Sequence, residues 1–333
     1  MPIKMKGILL VNLGSPKDLE NESIKEYLTE FLSDDLVVDY PKFLQQILVK
    51  WIIVPNRYKK TQRAYEKIWT DNGSPLINKT KELGLNLAKE SYLSVEVAMR
   101  YQEPSIKDAL TELKDKGCTE IKAMPLYPHY AISTTLTTQQ KIKEIAKNID
   151  KDLKIEFITS FYNEPEYIDA LCSLIQRNRN EDADLLLFSY HGIPLRHLKK
   201  AKRKSNNNSY CSHAWCPSKE YCYRYQVYET SRLCAEKLNI PKEKWKVSFQ
   251  SRIGPGWLKP FTDEVLSELP DKGIKKLDII CPSFIIDNLE TLEEINIEGR
   301  NDFLAAGGEK FNYIPCLNYE ENWVEVLKNM SKK

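Results

Sequence analysis

Three stretches in the first half of this chain return, in the same order, in the second. GILLVNLGSP (7–16) is answered by DLLLFSYHGIP (184–194), VEVAMRYQEPSIKDAL (95–110) by KVSFQSRIGPGWLKPFTDEVL (246–266), and GCTEIKAMPLYP (117–128) by GIKKLDIICPSF (273–284). Each half runs strand, turn with proline, helix, strand ending in a basic residue, proline, helix, glycine, strand, proline. One such match is chance; three in order imply an internal duplication. Strands alternating with helices imply parallel sheets. The expected architecture is therefore two similar α/β domains, joined near Asp150 to Tyr167 and facing each other across a cleft. We set the first domain at 1–155, the second at 156–316 with an insertion at about 196–222, and a C-terminal helix at 317–333 packing back on the body.

Within this frame one strand stands out. Leu185–Phe188 are apolar without alternation, the pattern of a strand covered on both faces, and they lead into Ser-Tyr-His-Gly. His191 thus falls at a strand's carboxyl edge, where ligands bind in open α/β sheets. A histidine there also serves simply to cap a turn. The duplication places further polar groups at equivalent edges: Arg100, Tyr101, Tyr127, His129, Tyr130 and Ser133–Thr135 in the first half, and Tyr190, Gln250, Ser251, Arg252 and the run 287–294 in the second. In DNLETLEEI, a helix puts Glu290 and Glu294 one turn apart on one face, with Asp287 joining them at i, i+3. Such a row reads as a solvated face or, opposite a histidine, as a proton and metal relay.

Composition narrows the classes. Lys and Arg number 49 against 47 Asp and Glu, giving a net charge of +2, and the basic residues are dispersed, which argues against a nucleic-acid partner. The amino-terminal MPIKMKGILLVNLGSP reads as strand then turn rather than a secretion signal, so the expected location is the cytoplasm. FLQQILVKWIIVP (43–55) is too short and too interrupted to span a bilayer, which needs about 20 apolar residues. It reads as a buried helix, or else as an apolar lip offering peripheral membrane contact. The turn NLGSPKD lacks the glycine-rich phosphate loop of a nucleotide-binding protein, so no nucleotide is expected.

Taken together, FSYHGIP, DNLETLEEI, MRYQEP, YPHYAISTT, NGSPL, FQSRIGPGWLKPFTDE and GILLVNLGSP resemble the ferrochelatases, which insert ferrous iron into a porphyrin in haem synthesis. The motifs span nearly the whole chain in the family's order. The resemblance implies two doubly wound domains, each with a parallel four-stranded sheet, and a porphyrin cleft. It implies His191 as the active-site histidine, Glu290 as its carboxylate partner and Glu294 as the next acid leading away. It also implies Arg100 and Tyr101 as the RY pair beside the macrocycle, Ser74 as the serine of the GSP turn and Trp257 as the tryptophan of the GPxWL stretch. Asn288 departs from relatives that carry a second histidine at that position. The chemistry suits these residue types: a neutral imidazole accepts a pyrrole proton or ligates iron, and carboxylates conduct protons or hold the cation. Whether His191 is base or ligand is open at this stage, as is the porphyrin, protoporphyrin or coproporphyrin. Tyr127, Trp257 and the 31–51 region offer aromatic and apolar walls for a flat ring. The competing readings are a chelatase for another metal or tetrapyrrole, and a porphyrin or haem carrier, which has no use for the acid row.

The insertion RHLKKAKRKSNNNSYCSHAWCPSKEYC carries Cys211, Cys216 and Cys222, with His213 between them. Some bacterial ferrochelatases are similar here and hold a [2Fe-2S] cluster, which implies one in this chain; a zinc site or plain thiols are the alternatives. The fourth ligand is open between Cys234 and His213. Cys234 lies about 18 Å beyond Cys222 along a continuous helix at 1.5 Å per residue. Val227 stands where cluster-bearing relatives carry a further cysteine.

Overall fold

The apolar run of the fifth strand is covered on both faces: every residue of Leu185–Tyr190 is buried, and only His191 at the end is partly exposed. In the computed structural model, which describes residues 5–203 and 216–333, the chain forms two compact units. One joins the chain through Tyr127 with Ile132–Thr159 and Tyr319–Lys333; the other comprises Pro128–Ala131 and Ser160–Asn318.

The first unit holds β1 (Met5–Asn12), α1 (Asn21–Leu32), α2 (Lys42–Ile47), α3 (Val54–Glu66), α4 (Pro75–Ser91), β2 (Ser94–Met99), α5 (Ile106–Asp115), β3 (Cys118–Pro125), α6 (Thr137–Ile149) and β4 (Lys154–Phe157). Its sheet is parallel in the order β2-β1-β3-β4. Leu9, Val11, Ala98, Ile121 and Ala123 on the strands pack against Leu110 and Leu113 of α5 and Ile142 of α6. The second unit holds α7 (Pro165–Asn178), β5 (Leu185–His191), α8 (Leu195–Arg203), α9 (Tyr223–Lys237), β6 (Trp245–Gln250), α10 (Thr262–Glu268), β7 (Lys276–Ile280), a π-helix at Glu290–Gly299, α11 (Arg300–Ala305) and β8 (Lys310–Ile314). Its order is β6-β5-β7-β8, again parallel. The last helix, α12 (Glu321–Lys332), returns to the first unit and packs on α4 with Trp323 fully buried.

The repeat seen in the sequence thus becomes one strand order used twice. Even the detail after the second strand recurs: Met99 N–H donates to the Pro104 carbonyl at 2.7 Å, and Phe249 N–H to that of Pro260 at 2.8 Å. Each chain loop folds back beside its own strand before the next helix begins.

Residues 43–55 depart from the buried-helix expectation. They form the end of α2, a π-helical turn at Leu48–Ile53 and the start of α3, with Gln45, Val49 and Val54 turned inward. Phe43 is 74% exposed and Trp51 77%, with Leu44 and Ile52 exposed beside them. One apolar stripe suffices to anchor the segment, so its second apolar face is left outward.

Candidate active site

The second unit gathers the predicted catalytic residues at the carboxyl ends of β5 and β6. His191 lies opposite Gln250 in the strand register, and the chain turns at Gly192, where an added Cβ would stand 2.8 Å from the Gln250 carbonyl oxygen and 3.3 Å from the Trp257 ring. Only glycine fits that approach. Segment 193–195 pairs with 256–258: Leu195 N–H donates to Gly256 at 2.8 Å and Leu258 N–H to Ile193 at 3.1 Å, which seats half-buried Trp257 against the turn.

The imidazole of His191 is oriented from its own turn. Nδ1 lies 2.6 Å from the Gly192 carbonyl oxygen. A carbonyl only accepts, so Nδ1 carries the proton, and the neutral ring has its lone pair at Nε2. Ser283 Oγ accepts the His191 backbone N–H at 3.1 Å, the Tyr223 hydroxyl donates to the His191 carbonyl at 2.8 Å, and Phe284 lies edge-on to the ring at 6.2 Å.

The acids lie on the π-helix rather than on an α-helix, a form found mostly at functional sites. Asn288, the departure noted in the sequence, starts it: its side-chain oxygen accepts the N–H groups of Glu290 at 2.9 Å and Thr291 at 3.3 Å, capping the first turn. Asp287 does not join the acid row. It precedes the helix and is buried, and its carboxylate accepts from Tyr313 Oη at 2.6 Å, the Cys316 N–H at 3.1 Å and Asn318 Nδ2 at 2.8 Å. Its work is to tie the helix start to the loop after β8.

The end of β6 links histidine and acids. The Gln250 carbonyl accepts the Gly192 N–H at 2.8 Å, while its side-chain amide donates to the Glu290 carbonyl at 2.8 Å. Ser251 then grips Glu294 through its N–H at 2.6 Å and its hydroxyl at 2.5 Å. Burial lifts the Glu294 carboxyl to about 7, assisted by the nearby charge of Glu290 and opposed by the Ser251 hydrogen bonds. The sequence placed Gln250 and Ser251 at a strand edge; nothing in it said that they hold the acids.

In the first unit, Arg100 and Tyr101 form a closed cluster. Arg100 donates to Asp34 at 2.5 Å and to Thr137 at 2.8 and 3.0 Å, with its guanidinium over the Tyr101 ring at 4.5 Å. Tyr101 Oη and the Thr137 hydroxyl also donate to Asp34. Burial beside that carboxylate pushes the Tyr101 phenol well up. With the side chains of Arg100 and Asp34 only 13% and 7% exposed, this guanidinium is occupied within the protein. Tyr127 is buried, which pushes its phenol up as well. Ser74 is buried at the start of α4, behind the tight turn in which Thr70 and Gly73 exchange backbone hydrogen bonds at 3.1 and 2.8 Å.

His129 and Tyr190 are core residues rather than site residues. His129 Nε2 lies 2.9 Å from Thr230 Oγ1, whose own proton goes to the Tyr162 carbonyl, and burial lowers its pKa to about 3. Tyr190 is fully buried on Ser231. Arg252 is exposed and paired with Asp263 and Glu264.

Of the cysteine set, Cys211 and His213 lie outside the described residues. Cys216 and Cys222 are buried together beside Tyr225, with Cys222 immediately before α9. Cys234 sits elsewhere: α9 runs unbroken from Tyr223 through it, about 18 Å from Cys222 by helical rise, and it packs against Cys172 of α7, whose thiol lies 3.8 Å from the Cys234 carbonyl. Val227 is fully buried on the same helix. Among the described residues, no group of three or more His, Cys, Asp or Glu is arranged to hold a metal ion.

Two parallel four-stranded sheets of one order define the chelatase fold. The chain matches SirB from Bacillus subtilis with Fe3+ at a TM-score of 0.57 and 13% identity, over 98% of this chain and 94% of that one. It matches the sirohydrochlorin chelatase SirB of Bacillus subtilis subspecies spizizenii, in complex with cobalt, at 0.52 and 11% over the same shares. The sequence goes further: residues 5–333 match the ferrochelatase family. It is 42% identical to a ferrochelatase of Coxiella burnetii (strain RSA 493 / Nine Mile phase I), over 98% of this chain and 93% of the relative. Against a ferrochelatase of Pseudomonas fluorescens (strain Pf0-1) the identity is 39%, over 98% and 97%. The chain belongs to the ferrochelatase family and is an enzyme of haem synthesis that inserts ferrous iron into a porphyrin.

The geometry of the first unit makes one outcome specific. Arg100→Ala strands a buried Asp34 carboxylate, so stability measured by urea denaturation should fall by about 3 kcal/mol. A guanidinium serving only as a porphyrin anchor would instead raise KM and leave the denaturation curve in place.

Proposed function

We propose that metal insertion runs on His191, Glu290 and Glu294 as one relay. A free-base porphyrin must release its two pyrrole protons as the hydrated cation sheds water. His191 presents its Nε2 lone pair to a pyrrole N–H and acts as the base. Glu290, at the first turn of the π-helix, holds the ferrous ion as it is delivered. Glu294 takes the released proton onward. The observation that carries this reading is the Glu294 carboxyl at about 7, held at the same strand-end junction that positions His191. An acid half-ionised near neutrality both accepts and releases protons without a large free-energy step. A carrier of porphyrin needs no such group.

His191→Ala should abolish insertion of ferrous iron while the circular dichroism spectrum is retained. Glu290→Gln should lose at least about a hundredfold in kcat, and Glu294→Gln less, on the order of tenfold. Because the ionised Glu294 is the acceptor, kcat should rise as pH increases through about 7. Glu294→Gln should flatten that limb. Normal turnover by folded His191→Ala, or an unchanged limb in Glu294→Gln, would remove the residue concerned from the relay. Anaerobic assays with protoporphyrin and coproporphyrin in parallel identify the substrate.

We also propose that Cys211, Cys216 and Cys222 hold a [2Fe-2S] cluster, with His213 rather than Cys234 as the fourth ligand. The support is the buried Cys216–Cys222 pair and the position of Cys222 at the start of α9, where the helix dipole favours a thiolate. When bound, the cluster supplies a one-electron couple; the insertion steps above do not use it. Anaerobically purified protein should contain two irons and two labile sulfides per chain. The visible bands should vanish in Cys222→Ser and persist in Cys234→Ser. One zinc per chain and no colour, or no metal at all, refutes the cluster.

The outward face of residues 43–52 supports peripheral membrane contact. Exposed Phe43, Leu44, Trp51 and Ile52 are flanked by exposed Lys42 and Lys50, a combination that suits an anionic bilayer surface. Among the described residues no helix is long and apolar enough to cross a membrane. The protein should co-sediment with vesicles containing anionic lipid, and a Phe43→Ser/Trp51→Ser variant should remain in the supernatant. Equal sedimentation of both proteins would exclude this face as the contact.

A further inference from the structure

The second residue of the Gln250–Ser251 pair is conformationally out of place. Ser251 adopts φ 62°, in the left-handed region that side-chain-bearing residues avoid and glycine enters freely. It is the first residue after β6, and the chain beyond it leaves the sheet. A glycine would make this turn with less strain. A glycine would also keep the backbone N–H that reaches Glu294 Oε1 at 2.6 Å. What it lacks is the hydroxyl that reaches Glu294 Oε2 at 2.5 Å. Strain retained at a site with a single evident return points to the use of that return.

We propose that Ser251 is a positioning residue for metal insertion: its hydroxyl and N–H each hold one oxygen of Glu294, fixing where that carboxylate stands and which lone pairs remain to take a proton. The inference rests on the reading of Glu294 as the outer acid of the relay. Two donors on one carboxylate lock its plane and its side-chain rotamer, and charge-assisted bonds of this kind are roughly twice as strong as neutral ones. The rest of the surrounding side chains contribute less than the hydroxyl. Glu290 on the same helix repels the ionised carboxylate, and the Cys281 thiol at the end of β7 is itself held protonated by burial and the nearby acids. The Gln250 amide donates to the Glu290 carbonyl at 2.8 Å and adds only the smallest of the hydrogen-bond contributions at Glu294, behind the Ser251 hydroxyl and N–H. Ser251 is therefore the largest hydrogen-bonding influence on Glu294, favouring its ionised form against burial and holding it in place.

The test is a double-mutant cycle between Ser251→Gly and Glu294→Gln, read as kcat with ferrous iron and porphyrin and checked by thermal melting. Ser251→Gly keeps the turn and the N–H, so its melting temperature should match or exceed that of the parent. Its kcat should fall on the order of tenfold, the weight of one hydrogen bond to a charged group, with KM for porphyrin unchanged. The acid limb of kcat should move to higher pH, since the lost bond favoured the ionised form. Added to Glu294→Gln, the glycine should cost nothing further, because the hydroxyl acts through the carboxylate it holds. Full activity in Ser251→Gly with an impaired Glu294→Gln overturns the positioning role alone. Multiplying losses in the double variant also overturn it, since they show Ser251 acting independently of Glu294. Full activity in both single variants overturns the reading of Glu294 itself.

Discussion

The site of the second unit depends on one buried amide. Gln250 receives the Gly192 N–H on its main-chain oxygen, accepts the Ser189 hydroxyl at 2.7 Å on its side-chain oxygen, and donates its side-chain nitrogen to the Glu290 carbonyl. The residue is 2% exposed. Buried polar groups that are fully paired rigidify their surroundings, whereas a half-paired one is costly. Through these three bonds a strand end fixes both the turn that carries His191 and the first turn of the acid helix. Ser251, one residue on, extends the same grip to Glu294.

That arrangement sets the properties of the side chains it holds. His191 gains a defined tautomer from the carbonyl of its own turn, which receives the Nδ1 proton. Glu294 gains a carboxyl near neutrality because burial outweighs two short hydrogen bonds. The π-helix is part of the same design. Its wider turn begins at Glu290, and its start is fixed on both sides, by the Asn288 side chain and by Asp287 bound to the loop after β8.

The duplicated architecture divides the labour unequally. Equivalent positions after the second strand of each unit carry different chemistry. In the first unit a buried Arg100–Asp34–Thr137 cluster with Tyr101 closes on itself. In the second, Gln250 and Ser251 reach out to a helix that carries ionisable groups. The first unit's counterpart to the site strand thereby ends in a closed cluster, and the second unit's in a junction between strand and acid-bearing helix.

The sequence by itself determined the two-fold α/β plan, the parallel strands and the place of His191 at a strand end. These follow from local patterns, since an unalternating apolar run and a glycine turn mean the same thing wherever they occur. It also placed Glu290 and Glu294 on a helix beside that end. Tertiary structure alone decided which groups touch. It turned Asp287 away to Tyr313 and Asn318, enclosed His129 with Thr230, committed Arg100 to Asp34, and sent Cys234 to Cys172. It also left Phe43 and Trp51 outward, because one apolar stripe was enough to hold their segment. Each of these outcomes depends on partners at least 26 residues away in sequence or on competition for a face, and neither is encoded in the spacing of neighbours along the chain.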